Sequence, residues 1–490
     1  MAAPRKVLLR SPKIPVLAAI ALLLACLVYF YRVDAAGVLG PDEPRYASIG
    51  REMARSGDWV TPRLWGQPWF EKPALLYWMT GAAFRLGLGP DLAPRLPVAL
   101  LSLSFLIFFW WLLRREFGST VAWLAALILA TSAEWIGFSQ VGVTDLPMAA
   151  AFTAAMLLAL PWVARGDTRG LMASGALLGV AVLAKGLVPL ALSAPLVWPA
   201  WKHRSSLARA LPRLALPFAV VCLPWYALCY LRNGPAFLAD LIVKQHFTRF
   251  ASDALQHREP WWFYFPVLAG ALLPWTPLLL GAVRRAFYRD PRRLFLLLVV
   301  LWGLLLFSAS VNKLPGYVVP LLPACAVLMA FGVEEIAWAS PLVALSALLL
   351  AAFPIAGRML PGALLAGLSH TPFPAFHWIW LVPLPLAAAA WTLARRHRLA
   401  AVALVACGAA MGVVYLREQV MPEVDRVASA RPLWRRLSSQ ADHVCIEPIH
   451  RNWRYGLNYY SGVPLPDCPA PDRPIHVFQV PGHPPEVETR

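Results

Sequence analysis

Apolar stretches of bilayer-spanning length follow one another along most of this chain, separated by short polar breaks. About thirteen can be placed, centred near residues 22, 104, 128, 154, 177, 193, 222, 271, 302, 325, 348, 384 and 407, each approaching the roughly 20 residues that cross a membrane as a helix. Many contain glycine or proline, which membrane helices tolerate where neighbours satisfy the freed backbone groups. Two intervals break the pattern. Between residues 34 and 94 the apolar positions become helically spaced and amphipathic. Tyr46, Ile49 and Met53 alternate with Arg45, Glu52 and Arg55, and Leu75, Leu76, Trp78, Met79 and Phe84 form a second set. These predict helices across Pro44–Ser56 and Pro73–Leu86 that lie on the membrane and roof a cavity between the spans. After Arg417, short apolar and polar runs alternate between Pro/Gly turns, as in Asp442-His443-Val444-Cys445-Ile446. That pattern predicts a small soluble α/β domain over 417–490, behind a membrane domain over 1–416.

Composition agrees with the pattern, since 59% hydrophobic and only 14% charged residues exclude an ordinary soluble domain. Arg5, Lys6, Arg10 and Lys13 precede the first apolar run, Ile14 to Tyr31, which reads as a signal peptide or a first transmembrane helix. The helix is favoured, because the run lacks a small-residue cleavage site and leads into the polar 34–94 loop. The basic start puts the N-terminus in the cytoplasm. Alternate short loops then carry Arg114-Arg115, Arg165 with Arg169, Lys202 to Arg213, Arg284 to Arg293 and Arg395 to Arg398, as cytoplasmic loops should, with Glu334-Glu335 the exception. Parity leaves 34–94, 138–145, Lys185-Gly186, 232–261, 311–316, 358–374 and the tail outside. Cys445 and Cys468 fall in that outer tail, where an oxidising compartment permits a disulfide; core packing explains the other five cysteines.

A net charge of +18 points to anions, and topology with lipid headgroups accounts for the cytoplasmic arginines without any nucleic acid. Orientation does not need the outward cations Arg45, Arg51, Arg55, Arg63, Lys72, Arg85, Lys185, Arg249, Arg258 and Lys313, which makes phosphate binding on the outer face a serious reading. Carboxylates accompany them: Asp42 and Glu43 in Gly40-Pro41-Asp42-Glu43-Pro44-Arg45, Glu71 beside Lys72, and Asp145 in Gly142-Val143-Thr144-Asp145. Asp42 and Asp145 also suit helix caps, and Glu71 and Lys72 suit loop-fixing ion pairs. His246 beside Arg249 reads as a structural loop residue or a phosphate contact. Tyr317 reads as an interfacial belt residue or a hydrogen-bond donor to phosphate or sugar, and Trp261-Trp262-Phe263-Tyr264 as a belt. Asp42, Glu43 and Asp145 could offer oxygen ligands to a divalent cation, but no tight Asp-x-Asp motif appears in the outer loops, and metal independence is expected.

The run DEPRYASIGREMARSGDWVTPRLWGQPWFEKPALLYW resembles the first periplasmic loop of the aminoarabinose transferases that modify lipid A, and of the wider protein O-mannosyltransferase-like group in the GT-C superfamily. The resemblance continues, in the family's order, through Thr144-Asp145, Ala184-Lys185-Gly186, His246-Phe247-Thr248-Arg249-Phe250 with His257, and Lys313-Leu314-Pro315-Gly316-Tyr317. It implies a GT-C-type glycosyltransferase of the bacterial inner membrane that moves a sugar from a polyprenyl (undecaprenyl) phosphate donor to a lipid or protein acceptor, such as lipid A, on the periplasmic face. In that chemistry Asp42 serves the acceptor, and Lys72 and Arg249 hold the departing phosphate, with Arg45, Lys313 and Tyr317 in support. Asp145 orients the acceptor or a cation, and Glu71 positions Lys72 or contacts the sugar. The runner-up is a protein O-mannosyltransferase using polyprenyl phosphate mannose. A lipid-linked sugar transporter is disfavoured by the absence of matching halves and by charges in outer loops rather than at mid-bilayer, and a scaffold explains the tail but not these loops. The sugar stays open among aminoarabinose, mannose, galactosamine and others, and nothing in the Leu/Ala/Val-rich spans marks a prenyl groove.

Overall fold

A computed structural model of the chain describes residues 14–248, 259–468 and 473–490. The first helix, α1 (Ile14–Tyr29), is followed by two helices in the polar interval, α2 (Asp42–Ser56) and α3 (Leu75–Arg85), with a short antiparallel hairpin, β1 (Arg63–Leu64) and β2 (Gln67–Pro68), between them. Asp42 and Glu43 occupy the first turn of α2, where acidic side chains favour the helix dipole. Gly57, at φ +73°, ends it by turning its N–H back to the Met53 carbonyl. Both helices form close to where the amphipathic spacing predicts them.

The bundle continues with α4 (Leu96–Phe117), α5 (Ser119–Ala130), the short α6 (Ala133–Phe138), α7 (Asp145–Leu158), α8 (Leu160–Arg165) and α9 (Leu171–Lys185). Among the described residues seven helices are long and apolar enough to cross a membrane, or eight if Tyr264–Ala271 and Thr276–Val283, bent by 111° at their junction, are one span. The expectation of about thirteen meets two physical obstacles. The stretches over Ser119–Ala130, Leu171–Lys185 and Trp378–Ala394 are apolar but short. The stretch centred near residue 193 breaks into Val188–Leu192, Ala194–Leu196 and Val197–Lys202, with Pro189, Pro195 and Pro199 each near the start of a piece.

Two membrane helices are almost wholly enclosed by protein, Asp145–Arg165 and Pro315–Glu335, and both present their first residues to the same end of the bundle. Leu207–Asn233 lies at the periphery and exposes Leu211, Leu216, Val220 and Leu231, as a lipid-facing helix does. It packs on α9 through Gly175 and Gly179, where an added Cβ would run into the Leu214 and Phe218 carbonyls. This small-xxx-small contact lets two membrane helices approach closely.

In the C-terminal segment the helix Arg451–Ser461 accompanies a three-stranded sheet. Val444–Ile446 pairs in parallel with Ile475–Phe478, which pairs antiparallel with Glu486–Thr489. Cys445 and Cys468 are joined by a disulfide. The domain docks on the first loop. Arg431 pairs with Asp91 at 2.9 Å and Asp425 at 2.8 Å, and also donates to the Asp34 and Ala35 carbonyls. Tyr460 donates to Asp91 at 2.7 Å and Tyr459 to the Pro90 carbonyl.

Candidate active site

Helix α2, the strand-to-helix turn before α3, the starts of α7 and of Pro315–Glu335, and the end of α9 surround one cavity of about 750 Å³. Its charged side chains are Asp42, Glu71, Lys72, Asp145 and Lys185, with Tyr46, Gln245 and Tyr317 beside them. The rest of the lining is largely apolar, including Leu187, Val188, Leu190 and Ala191 and Leu306, Phe307 and Leu314. Trp302 braces this lining by donating to the Ala191 carbonyl at 2.8 Å. Residues more than 270 positions apart in the chain therefore share one amphipathic chamber, in which a charged end and an oily side meet.

Within the charged end the groups are paired. Arg45, one residue before Tyr46 on α2, pairs with Asp42 and lies 3.0 Å from Glu71 Oε2. Lys72 Nζ lies 3.4 Å from Glu71 Oε1, to which the Tyr46 hydroxyl also donates at 3.2 Å. Burial works against the Arg45 charge, but Glu71 and Asp42 outweigh it and hold the guanidinium above its ordinary pKa. Aromatic rings cover it: Tyr46 and Trp69 at 5.8 Å, and Tyr455 of the C-terminal domain at 5.2 Å. Asp42 is the more open partner, its side chain about half exposed at 48%. It caps nothing through its side chain, and neither does Asp145, so the helix-cap reading fails at both positions. Asp145 instead pairs with Lys185, whose Nζ stands 5.0 Å from the centre of the Tyr317 ring. Gly316 allows this approach, since a Cβ there would come within 2.5 Å of the Phe138 ring and 3.2 Å of Asp145 Oδ1.

Other expected residues sit elsewhere. Glu43 is buried at 1% exposure and is not among the residues that line the cavity, a correction to its reading as a site residue or cation ligand. Its carboxylate meets Arg95 Nε at 2.7 Å and Nη2 at 2.8 Å, and accepts from the Leu39 and Gly142 amides at 2.9 and 3.0 Å. Arg95 in turn donates to the carbonyls of Val33, Ala36 and Gly37. Lys313 is likewise buried, donating to the Ser310 carbonyl at 2.7 Å behind the wall that Ser310 and Leu314 form. Arg249 and His257 lie outside the described residues, as does the side chain of His246, whose backbone belongs to the helix Ala239–Thr248. Lys185, named above among the outward cations, and Tyr46 line the chamber, and Tyr455 covers Arg45, although none was singled out for a role. For Lys185 a signal existed, a cation on the outward side inside the Ala184-Lys185-Gly186 motif. Tyr46 reads as part of an apolar helix face, and nothing in the tail distinguishes Tyr455.

The family described as dolichyl-phosphate-mannose-protein mannosyltransferase matches residues 71–227. An undecaprenyl phosphate-alpha-4-amino-4-deoxy-L-arabinose arabinosyl transferase from Edwardsiella ictaluri is 35% identical over 322 residues, covering 63% of this chain and 58% of the relative. Its namesake from Erwinia tasmaniensis is 32% identical over 363 residues, covering 71% and 65%. The matched region thus spans less than two thirds of the length of either relative. Among solved structures, the chain is similar to that of ArnT from Cupriavidus metallidurans bound to undecaprenyl phosphate, with a TM-score of 0.74 and 28% identity over 92% of this chain and 85% of that one. By sequence and by fold, this chain is similar to the ArnT-like GT-C membrane glycosyltransferases.

Proposed function

We propose that the protein transfers an amino sugar, 4-amino-4-deoxy-L-arabinose, from undecaprenyl phosphate to lipid A at the periplasmic face of the bacterial inner membrane. The observation that carries this reading is the amphipathic chamber, whose cations stand beside a wall of Leu187, Val188, Leu190, Leu306 and Phe307. A lipid phosphate needs that combination, and so does a leaving group whose charge must be stabilised while its chain stays in an apolar groove. The names of the relatives and of the solved structure supply the donor.

In the proposed reaction an acceptor oxygen attacks the anomeric carbon while the bond from that carbon to the phosphate oxygen breaks. The electron pair stays on undecaprenyl phosphate. Lys72 faces the departing phosphate, with Arg249 as the second cation and Tyr317 as a hydrogen-bond donor. Asp42, half exposed at the chamber rim, takes the acceptor proton or orients the acceptor. Arg45, clamped by Asp42 and Glu71 under Tyr455, positions both carboxylates rather than binding phosphate on its own. Asp145 and Lys185 bound the far side and orient sugar or acceptor.

Several coarser features belong to the same reading. Asp42, Glu71 and Asp145 each have a side-chain cation as partner, which supports a reaction that needs no divalent metal. Joining short and broken helices into spans gives thirteen crossings, with the N-terminus cytoplasmic and the 417–490 domain periplasmic. Charged groups gathered at one end of the bundle favour an enzyme over a transporter. A protein O-mannosyltransferase using polyprenyl phosphate mannose is the second reading, favoured by the family match over 71–227.

Mass spectrometry of the purified chain with a panel of polyprenyl phosphate sugars, with lipid A as acceptor, tests this directly. Release of undecaprenyl phosphate with glycosylated lipid A is expected from the aminoarabinose donor, and Asp42→Asn should abolish it while the protein still inserts and binds polyprenyl phosphate. Transfer from the mannose donor alone would replace the first reading by the second, and undiminished turnover by Asp42→Asn would remove Asp42 from the mechanism.

A further inference from the structure

One carboxyl near the chamber has no part in the reaction above. Glu134 lies on α6, four residues before the chamber-lining Phe138, and both of its carboxylate oxygens are shut off from solvent with no hydrogen-bond partner among the described residues. A polar group buried in that way destabilises a fold. Ionisable side chains within membrane bundles are costly to hold and mark places where charge is handled.

The groups that interact with Glu134 come from three elements. Asp145 at the start of α7 and Lys185 at the end of α9 act on its charge, and Tyr264, on the helix Tyr264–Ala271, interacts with both Glu134 and Tyr317. Of these three only Lys185 is a cation. Its ammonium is largely desolvated, with the side chain 11% exposed, and it pairs with Asp145. Asp145 itself lines the chamber, so a sugar or acceptor hydroxyl bound there competes with Lys185 for its oxygens. An ammonium that lost its carboxylate in that setting would need another at once.

We propose that Glu134 is the standby partner of Lys185, taking up the ammonium when a bound substrate draws Asp145 away, and thereby fixing both groups during transfer. Glu134 is a positioning residue in this scheme, and the inference rests on the transferase reading only for its effect on turnover.

The test has two arms. Thermal melts of the purified full chain need no activity. Glu134→Leu should melt at or above the parent, because an unpartnered carboxyl is replaced by an apolar group of similar size. Asp145→Asn should lower the midpoint only slightly, because Glu134 takes over Lys185. Combining the two should lower it well beyond the sum of the single effects. In the second arm, turnover is measured with undecaprenyl phosphate aminoarabinose and lipid A. Glu134→Leu should reduce kcat on the order of tenfold, the loss expected for one hydrogen bond to a charged group, and Glu134→Gln less. KM for the donor should stay within about twofold in both. A double variant no less stable than Asp145→Asn alone would overturn the inference, and so would parental kcat in Glu134→Leu. A parent that transfers no sugar would instead sink the transferase reading, and the melts would still decide the role of Glu134.

Discussion

Arg95→Met is the sharpest probe of how the first loop is held, because the structure lets its cost be estimated from one side chain. Arg95 is 3% exposed and makes two contacts below 3.0 Å with Glu43. It also donates to three carbonyls in the segment that leads to Asp42. Methionine fills a similar volume but strands the Glu43 charge in the protein interior. Breaking a buried pair from one side costs about 3–5 kcal/mol, and the carbonyls left without donors keep the figure at the upper end. Glu43→Leu should cost a similar amount, since it strands the guanidinium and frees the Leu39 and Gly142 amides. The double variant should fall short of the sum of the singles by about 2–3 kcal/mol, the size of coupling seen between directly bonded groups. Denaturant titrations of the purified chain in detergent, followed by tryptophan fluorescence, measure all three. Because Asp42 is the neighbour of Glu43, turnover should fall in each variant even where the protein remains folded. An Arg95→Met cost below about 1 kcal/mol, or strict additivity in the double variant, would refute the claim that this pair anchors the loop.

Lys72→Ala should weaken binding of undecaprenyl phosphate by about tenfold to a hundredfold, the range for losing a hydrogen bond to a charged group; a titration showing parental affinity would move the phosphate site elsewhere. Gly316→Ala should push Phe138 or Asp145 out of place and cost about 1–3 kcal/mol of stability as overpacking, with turnover reduced more than donor binding. Equal loss of both would show that the whole chamber, rather than the Asp145 side, had been disturbed.

Much of this arrangement could be read from residue order alone, and the parts that could not have physical reasons. Helices α2 and α3 were visible because half-buried surface helices carry their pattern on their sleeves: Tyr46, Ile49 and Met53 recur at helical spacing against charged neighbours. Asp42, Glu71, Lys72 and Asp145 were legible because charges outside the spans have little other reason to be there. Glu43 carried the same signal as Asp42 and has a different role, since nothing local shows that Arg95, 52 positions later, reaches back to it. Lys313 misled for a related reason: a lysine in an outer loop can snorkel to water or turn inward to a carbonyl, and only the packing decides. The apolar chamber wall was invisible because leucine and valine have the same composition facing lipid, a groove or a core. Proline splits the stretch near residue 193 into pieces that hydropathy alone runs together, so helices and apolar stretches do not map one to one.

The docking of the tail on the first loop also has a consequence for how the protein is made. The Gly37 amide donates to Asp425 Oδ1 across 388 positions of chain, and Tyr455 closes over Arg45 from still further along. A ribosome feeding this chain into the bilayer delivers Asp42, Glu71 and Lys72 early, but their outer covering emerges last. Through most of synthesis the charged loop must wait without its lid, and contacts of such long separation form slowly. Completion of the chamber is therefore coupled to completion of the polypeptide, so that a chain stalled or truncated after its final span would be inserted, helical and still unfinished.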